Sequence, residues 1–254
     1  GDVYKRQMQI FEPFIWGFDD LEAIFFMTLL LLLYFADIPY LGNEVPFYLC
    51  RMTRKIWLAG QVVYIVCATA IYTVAILLST ILICGQRCYV GNIWSETAVK
   101  LAFTSAGKKL SLAASEKTLE LTRPYACMTT IFFLLFAYAL VMVLLIFWFR
   151  ILWNELAGMI AGVVFNGISF IFSPGILQKL LGISERKSYL ANVAAGWISP
   201  LSHATYHLHN FGYDRLPSLR DSGIYDMVLV IMLILLNLYS IRTYHFVFDG
   251  TGER

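Results

Sequence analysis

Charged residues are scarce in this chain of 254 residues: Asp, Glu, Lys and Arg together make up 14% of it, whereas 59% is hydrophobic. A soluble domain is usually about a quarter charged, so the composition excludes an ordinary soluble protein. The mean hydropathy of +0.68 is typical of a membrane protein. The net charge is only +2, and basic residues form no stripe with interleaved aromatic residues, so we do not expect nucleic acid as a partner.

Motifs for nucleotide chemistry are also missing. Gly107-Lys108-Lys109 comes nearest to a phosphate-binding loop, but it has no upstream glycine at the required spacing and no Ser or Thr after the lysine. We therefore expect no ATP hydrolysis, no other catalysis and no cofactor in this chain.

Three histidines form an H-x3-H-x-H pattern at His203, His207 and His209. The first two share a face of a helix, but the third does not, and no Glu lies between the first two as a metalloprotease requires. The pattern therefore predicts no metal site. We expect polar groups at the outer membrane interface that water and lipid headgroups satisfy.

The five cysteines show no disulfide framework, because their number is odd and their spacing irregular. Free thiols are favoured. A disulfide between Cys84 and Cys88 stays open if that end of the chain faces an oxidising compartment.

The first seven residues, Gly1 to Gln7, contain no start methionine and no signal-peptide pattern. The string resembles translated sequencing-adapter read-through, so residues 1–7 are excluded from fold reasoning. We expect residues 8–254 to form a single transmembrane permease domain whose natural N-terminus is missing.

Long apolar runs are the main positive feature. A bilayer core about 30 Å thick needs roughly 20 apolar residues in a helix, and these runs are continuous and far longer than barrel strands. The predicted fold class is therefore all-α, a polytopic membrane helical bundle with about five transmembrane helices. The predicted spans are residues 23–41, 57–83, 125–149, 151–172 and 224–241.

A further apolar stretch, Tyr189 to Ile198, is too short to span and lies between Pro174 and Pro200. We interpret residues 175–201 as short helices that enter the membrane and return, or that lie in the interface before the last span. Broken backbone at membrane depth requires cover by protein or a water cavity.

The orientation follows from the loop between the first two spans. Arg51, Arg54 and Lys55 cluster there, and such a cluster in a short loop favours the cytoplasm. Residues 84–124 then lie outside despite six basic residues, because long loops translocate largely regardless of charge. An amphipathic interfacial helix and a solvated loop are both open for that segment.

Two features mark the fourth predicted span. Asn154 and Glu155 are polar groups at its start, and an intramembrane ionisable group suggests function; pairing of Glu155 with Arg150, or a role in helix-end structure or subunit contact, is favoured over a proton relay. Gly158 and Gly162 form a small-x3-small pattern that lets helices approach closely.

The segment Arg51-Met52-Thr53-Arg54-Lys55-Ile56-Trp57 has two interpretations. It is either a positive anchor with an interfacial tryptophan or a docking helix for a soluble partner. Together with Asp37-Ile38-Pro39-Tyr40 before it and Gly60-Gln61-Val62-Val63-Tyr64 after it, this segment resembles permease subunits of ABC transporters of the type-2 exporter superfamily, particularly small ones from Firmicutes. The late stretch Trp197-Ile198-Ser199-Pro200 is similar to the re-entrant hairpin before their last span.

The resemblance implies a bacterial plasma-membrane protein that forms a translocation path with a second permease subunit, as a homodimer or heterodimer. Each subunit docks a separate ATP-binding subunit through its cytoplasmic loop. In this chain the implied docking residues are Glu44, Arg51, Arg54, Lys55 and Trp57. The family has six spans and five are predicted here, which a missing first span explains.

Three other classes compete with the exporter permease. A secondary transporter would show internal repeats and several midplane charges, and we find neither. A membrane protease would need paired Glu or His motifs within spans, and the histidines fall outside them. A non-catalytic membrane assembly protein is compatible with the composition.

Overall fold

The computed structural model describes residues 8–39, 52–104, 116–182 and 184–244. Glu44, Arg51 and the adapter-like residues 1–7 lie outside these ranges. The described chain is mainly helical with very little strand, as expected. Its helices are α1 (Glu12–Phe18), α2 (Leu21–Tyr34), α3 (Arg54–Cys84), α4 (Glu96–Phe103), α5 (Glu116–Leu121), α6 (Pro124–Leu152), α7 (Glu155–Ile171), α8 (Pro174–Leu180), α9 (Ser188–Ile198), α10 (Pro200–Ala204) and α11 (Leu219–Ser240).

Helix α6 lies at the centre of the bundle. Its sequence is apolar on all sides, and 61% of its most hydrophobic stretch is buried, against 22% in α3 and in α11. Because α3 and α11 expose most of their apolar surface, they face an apolar surrounding while packing on α6 with one side. We define the loop end as the end where α2 and α6 finish and α3 begins, and the cap end as the opposite one.

Three helices, α3, α6 and α11, are long and apolar enough to cross a membrane. A fourth span arises if α7 and α8, which meet at a bend of 71°, count together. The described chain therefore contains three or four candidate spans within an all-α membrane bundle, fewer than the five predicted.

The first predicted span, residues 23–41, is one source of the difference. Helix α2 begins behind Asp20, whose side chain accepts a hydrogen bond from the Ala23 amide at 3.1 Å, and it ends at Tyr34 after 14 residues. At 1.5 Å per residue it is about 21 Å long, short of the bilayer core. Residues 35–39 follow as turn and coil, so they lengthen the apolar run without lengthening the helix.

The fourth predicted span, residues 151–172, is displaced as well. Helix α6 continues to Leu152, and α7 begins only after Asn154 and ends at Ile171, so it has 17 residues. Ser173 and Pro174 then start α8 in a new direction. The predicted short helices of residues 175–201 correspond to α8 and α9, and the buried α10 follows directly.

The cap end is built from small elements. Strand β1 (Met8–Gln9) pairs in parallel with β2 (Cys88–Tyr89). Helices α1 and α4 pack against β1, and α5 packs against α4. The described part of residues 84–124 therefore includes β2, α4 and α5, and α4 buries Ala98 and Ala102 on one face. Cys84 and Cys88 are free thiols, with the Cys88 Sγ 3.1 Å from the Cys84 carbonyl.

A buried polar triad links α2, α6 and α7. The Tyr138 hydroxyl donates to Asn166 Oδ1 at 2.6 Å, and Asn166 Nδ2 donates to Thr28 Oγ1 at 2.9 Å. All three side chains are at most 1% exposed. Because each polar atom has a partner, the triad fixes the register of the three helices at little desolvation cost.

The glycines of α7 allow close contact with its neighbours. A Cβ on Gly158 would lie 2.5 Å from Arg150 Cγ and 2.7 Å from the Ile146 carbonyl oxygen, and one on Gly162 would lie 2.6 Å from Leu32 Cδ2. Helix α7 therefore approaches α6 and α2 at a distance that only glycine permits.

We expect Gly158→Ala to destabilise the protein by about 1–3 kcal/mol, because the Ile146 backbone must move to admit the methyl group. Gly167→Ala in the same helix is the matched control: nothing lies within 4 Å of its Cβ, so it should be neutral or stabilise by about 0.5–1 kcal/mol. Thermal unfolding in detergent measures both. Equal unfolding temperatures for the two variants would contradict the close approach.

Candidate functional sites at the two ends of the bundle

At the loop end, the buried Arg150 binds the end of α2. Its Nη1 donates to the carbonyl oxygens of Phe35, at 3.3 Å, and Ile38. Both residues lie beyond the last turn of α2, and the Phe35 carbonyl also accepts a hydrogen bond from the Ile38 amide at 3.3 Å. The expected ion pair with Glu155 is not among the salt bridges of the described residues; Arg150 instead ties α2 to α6.

Arg54 makes the corresponding connection on the other side of the loop. Thr53 caps α3, and Arg54 Nη1 donates to the carbonyl oxygen of Arg242 at 2.5 Å, with that of Ile241 at 3.4 Å. Both carbonyls lie just beyond α11. The first turn of α3 is thereby joined to the end of α11.

Trp57 lies inside the protein, with 6% of its surface exposed. Its ring stacks on Tyr244 at 6.5 Å between centroids and lies 6.4 Å from Phe147 of α6. Of the predicted docking residues in the described chain, Arg54 and Trp57 therefore make internal contacts, and Lys55 is exposed. We call Arg54, Trp57 and Arg150 the loop clamp, because they hold both flanks of residues 40–51.

Asn154 and Glu155 lie at the helix start. The Asn154 side chain accepts a hydrogen bond from the Ala157 amide at 2.8 Å, and both residues are exposed rather than enclosed by helices. Asn154 is the N-cap of α7, and the Glu155 carboxylate lies at the positive end of the helix dipole. This arrangement is structural.

At the cap end, Glu12 is fully buried and fastens α1 to the chain before α4. Its carboxylate accepts from the Ser95 amide and the Ser95 hydroxyl, both at 2.7 Å, and from the Gln9 amide at 3.2 Å. Burial raises the pKa of Glu12, although these hydrogen bonds lower it. No local sequence pattern singles out Glu12, because its partner is 83 residues away.

His207 pairs with the buried Asp19. Its backbone amide donates to Asp19 Oδ1 at 2.7 Å, and its ring Nδ1 lies 2.8 Å from the Asp19 carbonyl and 3.1 Å from Oδ1. Burial by itself lowers the pKa of His207, but the hydrogen bond and charge of Asp19 outweigh it and raise that pKa above its usual value. The pair closes α1 against the loop before α11.

His203 and His209 both contact the hydroxyl of Ser222, each through one ring nitrogen at 2.8 Å. The second nitrogen of His203 faces the Trp197 carbonyl at 3.2 Å, and that of His209 faces the Tyr206 carbonyl at 3.1 Å. The two rings are 1% and 0% exposed, so the expectation that water and headgroups satisfy them is wrong.

A count of protons limits this cluster. If both rings donate to their carbonyls, both remaining nitrogens need a proton from Ser222, which has only one. Full hydrogen bonding therefore requires one additional proton, whereas burial disfavours it: desolvation lowers the pKa of His203 and lowers that of His209 to about 4. At neutral pH both imidazole rings are therefore neutral, and only one of them receives a hydrogen bond from the Ser222 hydroxyl.

Asp226 was also missed by the sequence reasoning. It lies in α11 within the predicted span 224–241, is 3% exposed, and its Oδ2 has no hydrogen-bond partner in the described chain. An ionisable residue inside an apolar run is a functional signal that was present in the sequence. No group of three His, Cys, Asp or Glu side chains among the described residues is placed to hold a metal ion.

The Asp19–His207 pair predicts a pH dependence. Since folding raises the pKa of His207, its stabilisation is complete below the unfolded value of about 6.5 and is lost as the pH rises through the folded value. We expect the unfolding temperature of the wild type to fall between pH 6.5 and 9 by about 2 °C or more relative to His207→Asn, which retains a donor but no titration. His203 and His209 stay neutral in this window. Parallel curves for the two proteins would contradict the pairing.

Comparison with known proteins assigns no family to the chain. No protein-family model matches the sequence, and neither the curated proteins nor the solved structures contain a match. The resemblance to exporter permeases therefore rests on sequence motifs alone, and function has to be inferred from the residues and their contacts.

Proposed function

We propose that this chain is the permease subunit of an ABC transporter of the type-2 exporter superfamily. It would lie in a bacterial plasma membrane, pair with a second permease subunit and be driven by a separate ATP-binding subunit. The loop clamp is the observation that carries the proposal, since it connects the described residues on either side of positions 40–51 to the spans.

The loop clamp joins the residues before and after positions 40–51 to different helices. On one flank, Arg150 joins the chain after α2 to α6; on the other, Arg54 joins the start of α3 to the end of α11. A hydrogen bond from a charged group contributes about 1.5–3 kcal/mol, and leaving a buried guanidinium unbonded costs more. A force that a docked subunit applies between α2 and α3 would therefore be transmitted to α6 and α11.

The lateral surface suits lipid and a second subunit. Helix α3 exposes Ile71 (64%), Leu78 (50%) and Leu82 (78%), and exposed apolar patches of this kind mark membrane or protein contacts. The exposed face of α3 therefore supports both the bilayer and a second permease subunit as partners.

A secondary transporter is the second candidate. The observation that favours it is Asp226, which is buried in a candidate span and belongs to no ion pair among the described residues, because ionisable groups in spans serve ion coupling in carriers. The absence of internal repeats in the sequence makes it the weaker choice.

Docking is tested by reversing charges that do not serve the clamp. We expect Arg51→Glu combined with Lys55→Glu to abolish co-purification with the co-expressed ATP-binding subunit, because Arg51 belongs to the predicted docking segment and Lys55 is an exposed residue in the first turn of α3. Arg54 is left unchanged, since its loss would also disturb α11. Membrane insertion should be unaffected.

The matched control is Lys100→Glu combined with Lys179→Glu, which makes the same charge change away from the loop at two exposed lysines. This variant should co-purify with the ATP-binding subunit like the wild type. Undiminished co-purification of the loop variant, or equal loss in both variants, would refute the docking role.

A further inference from the structure

Asp226 is a carboxylate without a counter-ion. It is the eighth residue of the 22-residue α11, 3% exposed, and it belongs to no ion pair among the described residues. His203 and His209 contact Ser222, one turn before Asp226 in α11, and their other ring nitrogens face the carbonyls of Trp197 and Tyr206. An uncompensated charge in this setting is costly, so a cationic partner from outside the chain would be stabilising.

A groove of about 350 Å³ between α6 and α11 offers such a partner a place. Asp226 lines it, and its walls are apolar and aromatic, with Phe133, Phe136, Leu219 and Gly223 among them. Phe133 is 61% exposed, so the groove opens sideways from the bundle. Its volume is at the lower end of the range for small-molecule pockets, about 300–1,000 Å³.

The chemistry of the lining selects the class of ligand. A metal ion needs several oxygen ligands, and Thr130, whose hydroxyl donates to the Ala126 carbonyl, is the other polar side chain of the groove. An anion would be repelled by Asp226. An organic ammonium group matches one carboxylate, and its apolar body matches the walls; aromatic faces also attract such cations.

We propose that this groove binds an amphiphilic amine, with its ammonium group at Asp226 and its apolar part along Phe133 and Phe136. The ligand enters from the lipid side, where apolar amines concentrate. If the chain is a permease, the bound amine is its transported substrate, and that step rests on the proposed function. The binding site itself does not depend on it.

Two probes of equal shape test the charge. Purified protein in lipid nanodiscs is titrated with 1-naphthylmethylamine, which is an ammonium at neutral pH, and with the neutral 1-naphthylmethanol, and binding is followed by naphthalene fluorescence. We expect the amine to bind at least about tenfold more tightly, a difference of about 1.4 kcal/mol. Asp226→Asn should abolish this preference and leave binding of the alcohol unchanged.

Two glycine variants test whether the probes bind in this groove. A Cβ on Gly223 meets nothing within 4 Å, so Gly223→Leu fills the groove without strain and should weaken both probes at least tenfold. Gly167→Leu, at an equally open position of α7 outside the groove, should change neither. This comparison remains decisive if Asp226→Asn folds poorly.

Equal affinity of the wild type for both probes would overturn the proposal and identify the carboxyl group as protonated instead. Unchanged amine affinity in Gly223→Leu would overturn it as well. Neither measurement involves the ATP-binding subunit: loss of amine binding with intact co-purification refutes the site alone, and loss of co-purification in the wild type with intact amine binding refutes the ABC permease alone.

Discussion

The loop end depends on one constraint, that the carbonyls at the end of a buried helix must find hydrogen-bond donors. Helix α2 ends after 14 residues against α6, where Arg150 binds the carbonyls of Phe35 and Ile38. The aliphatic stem of Arg150 in turn occupies the space that Gly158 leaves open. The close packing of α7, the end of α2 and the path of the chain towards Pro39 therefore form one interdependent unit.

The two ends of the bundle differ in how their buried polar groups are hydrogen-bonded. At the loop end, arginines bind backbone carbonyls and leave the segment between α2 and α3 connected to α6 and α11. At the cap end, buried side chains bind partners that are distant in sequence: Glu12 binds the Ser95 amide, Asp19 binds the His207 amide, and His203 contacts the Ser222 hydroxyl. The first arrangement suits transmission of force through a loop, and the second suits a rigid cover over the spans.

Asp226 departs from both patterns, because it is a buried acidic residue whose Oδ2 has no hydrogen-bond partner and which belongs to no ion pair among the described residues. A protein tolerates such a group when function requires it. Its position beside an apolar groove that opens between α6 and α11 gives the permease proposal a specific chemical expectation, an apolar body carrying one positive charge.

The sequence alone determined the membrane character and the all-α class, because continuous apolar runs longer than strands allow only helices in lipid. It also indicated the small-residue face of α7, since glycine spacing is local. It could not decide the number of spans: hydropathy adds residues such as 35–41 to a run, whereas caps and tertiary partners end the helix at Tyr34. Only the tertiary structure joined Glu12 to Ser95, Asp19 to His207 and Arg54 to the end of α11, because these partners are 83 to 188 residues apart and no local pattern records which distant carbonyl or carboxylate a side chain will meet.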